Sequence, residues 1–114
     1  MGIKLVTDIN YEISDILSFS VKCLAEGKTI YAIGYISGIN NTFSVCLSNL
    51  GSASISRVGY SVSDSKINII LIPQEGIFNI LKTEAEVFIS ESDNIEDNKN
   101  HILSIEYIDE NEQE

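Results

Sequence analysis

Thr29-Ile30-Tyr31-Ala32-Ile33-Gly34-Tyr35-Ile36-Ser37 and Lys66-Ile67-Asn68-Ile69-Ile70-Leu71-Ile72 decide the fold. Both runs are rich in β-branched and aromatic residues, which suit a pleated, packed surface better than a helix. Both are short, and turn residues bound them. Ala25-Glu26-Gly27-Lys28 precedes the first and Gly38-Ile39-Asn40-Asn41 follows it, while Ser63-Asp64-Ser65 precedes the second. The first run is apolar at odd and even positions alike, so it reads as a central strand covered on both faces. The second reads as a strongly buried strand.

Outward from these, Ile3–Thr7 alternates as a short opening strand. Leu17, Phe19, Val21 and Cys23 alternate with Ser18, Ser20 and Lys22. A helix competes over the same stretch, capped by Asn10 with Ile13, Ile16, Leu17, Val21 and Leu24 on its apolar face. The alternating serines favour a strand over 16–24, because they suit a solvated sheet face better than a helix interior. Thr42–Ser48, with Phe43, Val45 and Leu47 facing one way, and the more polar Ala53–Val62 add two strands.

Pro73 changes the pattern. It can open a helix with Gln74 and Glu75 in its first turn, and Ile77, Phe78, Ile80 and Leu81 then form an apolar stripe. The expectation is one short helix near 74–83, weakened by Gly76. Ala85–Ser90 and Ile102–Ile108 are the last strands. The class is therefore mainly β with one helix (α+β): an antiparallel meander of about seven to eight strands, as a β-sandwich or a curled sheet. Residues 1–108 form one domain, and 109–114 an acidic, frayed tail.

At 114 residues and 44% hydrophobic composition the chain can bury a single core. No apolar run approaches the ~20 residues that span a bilayer, no signal peptide is evident, and a cytoplasmic protein is expected. Cys23 and Cys46 both sit in apolar alternating runs and read as small, free core residues.

The net charge of −10 is unevenly spread. Residues 1–83 sum to zero, so the whole excess belongs to 84–114. Its acids include Glu84, Glu86, Glu91, Asp93, Glu96, Asp97, Glu106, Asp109 and Glu110, with Glu112 and Glu114 in the tail. The bland reading is a solubilising face. The functional reading is an electrostatic docking surface, since crowded like charges repel and a cationic partner relieves them.

Chemistry-bearing motifs are missing. The glycines are scattered singly, and no phosphate-binding loop is present. His101 is the lone histidine, reads as a satisfied surface residue, and stands in no nucleophile-elbow context. Asp93, Glu96 and Asp97 lack the glycine and terminal glutamate of a calcium loop. Two thiols and one histidine do not make a metal site. Neither a catalytic role, a cofactor nor a metal is expected, and without a basic stripe neither is direct nucleic-acid binding.

In size, Ile/Asn/Ser-rich composition, β plan and the acids clustered from Glu84 to Glu114, the chain resembles the small bacterial immunity proteins of contact-dependent growth inhibition. That resemblance implies a one-to-one inhibitor of a basic toxin, a nuclease whose cleft the acids would cover. An alternative is a phage-encoded inhibitor that mimics nucleic acid, such as an anti-CRISPR protein. A third is a small ligand-binding β module with Tyr31, Tyr35 and Tyr60 lining a pocket.

Overall fold

A computed structural model describes residues 2–75, 79–90 and 99–108. The described residues form eight strands and no helix: β1 (Gly2–Asn10), β2 (Leu17–Ala25), β3 (Lys28–Ser37), β4 (Ser44–Asn49), β5 (Ile55–Ser63), β6 (Lys66–Pro73), β7 (Ile80–Ile89) and β8 (Ile102–Ile108). They make two four-stranded sheets, β5-β6-β1-β8 (sheet A) and β4-β3-β2-β7 (sheet B), with every pair antiparallel. The order is not a simple meander. Only β2-β3-β4 and β5-β6 pair in succession, and the chain changes sheet after β1, β4, β6 and β7.

The core lies between the sheets, as alternation requires. Sheet A contributes Ile3, Leu5 and Ile9 from β1 and Ile67, Ile69 and Leu71 from β6. Sheet B contributes Leu17, Phe19, Val21 and Cys23 from β2 and Ile30, Ala32 and Ile36 from β3. Thr7 is buried among these, and its hydroxyl donates to the Ile67 carbonyl at 2.7 Å, so its polarity is satisfied. β6 is strongly buried, as expected, and from Ile67 onward on both faces, with Ile70 and Ile72 on its outer side.

The turns carry the conformations their residues permit. Gly27 closes β2–β3 at φ 76°, and Asp64 and Ser65 close β5–β6 at 51° and 67°. Positive φ at both central residues fits the right-handed twist of a two-residue hairpin. Asn10, the candidate helix cap, instead accepts the Glu12 N–H at 2.8 Å in a side-chain turn, and the strand reading of 16–24 holds as β2.

The helix near 74–83 is corrected where it can be seen. Pro73 is the last residue of β6, paired with Ile55. Gln74 continues that pairing: its N–H donates to the Ser54 carbonyl and its side-chain oxygen accepts the Ser54 N–H, each at 2.9 Å. From Ile80 the chain is strand, and Lys82 and Thr83 pair with Leu24 and Cys23. The β-branched Ile80 and Thr83 thus follow sheet pairing in place of a helical stripe that Gly76 would have weakened. Residues 76–78 lie outside the described residues, as does the 109–114 tail.

Two other readings change. β3 is central, but its outward side chains are exposed, so it is not covered on both faces. Cys46 is exposed, because it stands on the outward face of β4 opposite Tyr35, while Cys23 is buried on the inward face of β2. Both thiols are free, and burial pushes that of Cys23 up against a hydrogen bond with Thr83.

Gly34 sets the spacing of sheet B. A Cβ there would lie 2.6 Å from the Cys46 carbonyl oxygen and 2.7 Å from two ring carbons of Phe19. Gly34→Ala is therefore expected to destabilise by about 1–3 kcal/mol, the usual cost of overpacking a filled core. Denaturant titration checks this, and an unchanged midpoint would show that the Phe19 ring has room to move.

Candidate functional site

Sheet B presents a face built by the alternation that fills the core. Because Ile30, Ala32, Gly34 and Ile36 point inward, Tyr31, Ile33 and Tyr35 point out, and they are 41%, 38% and 52% exposed. Around them the register sets Lys22, Ser20 and Ser18 of β2 on one side and Ser48 and Cys46 of β4 on the other. Across β2, Glu84 stands opposite Lys22, Glu86 opposite Ser20 and Phe88 opposite Ser18. Ser18 and Ser20 flank Tyr35 and Ile33, so Tyr35 stands clear of its neighbours, while Tyr31 stands beside Lys22.

Grooves lie on both sides of this ridge. One, of about 410 Å³, is lined by Ser20, Lys22, Tyr31, Glu84, Glu86 and Asn100. The other, of about 460 Å³, is lined by Ile16, Tyr35, Ser37, Ser44, Cys46 and Ser90 and holds no charged side chain. A sheet face with standing aromatics, small residues beside them and charged side chains along one border suits docking of a macromolecular surface. Among the described residues it gathers no set of metal ligands.

The acids expected to form one surface are divided by the fold. Glu84 and Glu86 lie on the outer face of sheet B, at its β7 edge. Glu106 lies on the outer face of sheet A, opposite Lys4, whose Nζ is 3.8 Å from its Oε1. Glu84 is also close to a cation, with Lys82 Nζ at 3.7 Å. Glu91, Asp93, Glu96, Asp97, Asp109 and Glu110 lie outside the described residues. Tyr60 does not join Tyr31 and Tyr35: its ring packs on Phe43, centroids 4.8 Å apart, against the core.

His101 is not a surface residue. It is 6% exposed and holds the seam where β7 and β8 bring the two sheets together. Its N–H donates to the Val87 carbonyl at 2.8 Å, and its carbonyl accepts the Asp8 N–H at 3.2 Å. Its Nδ1 lies 2.7 Å from Asp8 Oδ1, and Lys99 Nζ is 3.5 Å from Asp8 Oδ2. Asn100 adds to the seam, donating to the Ala85 carbonyl and accepting the Val87 and Ile102 N–H groups. Burial opposes ionisation of Asp8, but the hydrogen bond and charge of His101, aided by Lys99, outweigh it and hold the carboxyl below its ordinary range. The arrangement joins sheets. Local pattern could not signal it, since Asp8 and His101 are 93 residues apart.

The tyrosine row was open to a different reading. Ala32 and Gly34, the small residues at alternate positions, mark the face of β3 that packs closely. The larger side chains between them then fall on the other face. Comparison with protein families, with curated proteins and with solved structures finds no match.

The seam makes stability depend on pH. Asp8 has a lowered carboxyl pKa in the folded state, so its contribution is complete above the unfolded value and is lost as pH falls through the folded one. Asp8→Asn should therefore be less stable than the native chain at pH 5 to 7, with the gap narrowing below about pH 3.8. Thermal melts across that range test it, and a gap that does not change with pH would assign the loss to packing alone.

Proposed function

We propose that this chain is a non-enzymatic inhibitor that binds a basic protein partner through the outer face of sheet B. The observation that carries the reading is the exposed row Tyr31, Ile33 and Tyr35 on a central strand, bordered by Glu84 and Glu86. Apolar side chains standing together on a solvated sheet face point to an interaction site. Tyrosine is favoured at such sites because it offers large area and a polar tip at low entropic cost. The carboxylates and the net charge of −10 select a cationic partner, and tyrosine faces can take Arg or Lys as well.

In its specific form the partner is a toxin nuclease acting in the cytoplasm, where this chain would serve as its immunity protein. A nuclease must gather cations to hold phosphates, so its cleft complements an acidic face. The seam at Asp8 and His101 is structural on this reading and takes no part in proton transfer.

Inhibition can be tested on a nuclease captured with the chain from its native cytoplasm. The chain should abolish cleavage at a one-to-one ratio. Tyr31→Ala with Tyr35→Ala, and separately Glu84→Lys with Glu86→Lys, should each weaken inhibition by about tenfold or more, the loss of ~1.4 kcal/mol or more. Reversing Glu12, Asp15 and Glu26 to lysine should change it little. Association should slow as salt is raised, because screening lengths fall to about 8 Å near physiological ionic strength. Equal losses from both charge sets, or none from either, would leave the face merely solubilising. Capture of a large nucleoprotein effector would favour nucleic-acid mimicry instead.

A further inference from the structure

We propose that a second copy of this chain pairs with the free edge of β4, joining two B sheets into one continuous sheet across a twofold axis. Each sheet ends in two edge strands, β5 and β8 in sheet A and β4 and β7 in sheet B. An edge strand displays unpaired backbone donors and acceptors, and proteins blunt such edges with charge, bulges or a covering segment.

Three of these edges are blunted. β7 carries Lys82, Glu84 and Glu86, and its rim is occupied by Asn100 and by the His101 backbone. β8 carries Glu106, shifts register against β1 near Val6, and ties Tyr107 to Thr83 by a 2.8 Å hydroxyl bond. β5 carries Arg57 and a register shift between Ile55 and Arg57. Among the described residues β4 shows no charge, no register shift and no covering backbone, and only its last residue, Asn49, is engaged, through side-chain bonds to the Ile55 backbone. Its sequence, Ser44-Val45-Cys46-Leu47-Ser48-Asn49, holds no charge and no proline, and its six pairs with β3 run without a register shift. The strand is exposed along nearly its whole length.

Charge identifies the occupant. From Gly27 to Ser63 there is no Asp or Glu, and Lys28 and Arg57 are the only charged residues. A basic partner is drawn to the acids elsewhere and gains nothing electrostatic at β4. A second acidic copy is repelled over most of the molecule, and the β4 side is where two copies approach at least cost. Antiparallel pairing of β4 with its own copy is self-complementary, so the assembly closes as a dimer. It would cover Val45, which is exposed in the single chain. The proposal does not depend on the function proposed above.

Light scattering and sedimentation of the purified chain at rising concentration test this. A species of twice the 12.6 kDa chain mass is expected, and its formation should strengthen as salt screens the remaining repulsion. Ser44→Lys with Ser48→Lys places cations on the edge and should return the monomer, with circular dichroism unchanged. Ser104→Lys, on the edge strand β8, should leave the dimer intact. A chain that stays monomeric throughout, a dimer indifferent to the β4 lysines, or one that salt dissociates would each overturn the proposal.

Discussion

The ring of Phe19 lies across the backbone of Gly34, in the space a side chain at that position would need. Phe19 and Gly34 are also directly opposed in the register of β2 and β3. A slip by one residue would bring Phe19 against Ile33 or Tyr35 and turn a whole face of the sheet over. The close contact thus fixes more than local packing. It decides that Ala32 and Gly34 face the core and that Tyr31, Ile33 and Tyr35 face out, which creates the surface on which the functional reading rests.

Much of the strand plan was open to reading because alternation and turn residues report it locally. Leu17 to Cys23 alternate with Ser18, Ser20 and Lys22 in the sequence, and the same residues alternate in burial. Gly27, Asp64 and Ser65 stand where the chain takes up positive φ. What escaped depended on partners distant in sequence. The stripe from Ile77 to Leu81 suited a helix, but β2 takes Ile80, Lys82 and Thr83 as a neighbouring strand. His101 offered no pattern of its own, and its burial follows from Asp8 and Val87, contributed by different sheets. The charge excess was legible as a total. Its division among faces was not, because Glu84 and Glu106 share a region of sequence and look outward from opposite sheets.

Charge is unevenly placed across sheet B. Its β7 border carries Glu84 and Glu86 together with Lys82 and the facing Lys22, whereas β3 and β4 contribute no acid at all. The exposed tyrosines stand between these two borders. One surface can therefore offer charged side chains along one side and uncharged backbone along the other, which permits two kinds of contact without overlap.

The strand order also constrains how the protein can assemble in time. β2, β3 and β4 follow one another and pair in succession, so they can close as soon as they exist. β1 has no such neighbour. Its partners are β6 and β8, with Ile3 facing Leu71 on one side and Tyr107 on the other. β1 must wait for β8, which completes its second edge. Closing such a long loop is slow, and until then Ile3 and Leu5 have no finished sheet to belong to. Until β8 is made, β1 keeps one edge of hydrogen-bonding groups open to any other strand.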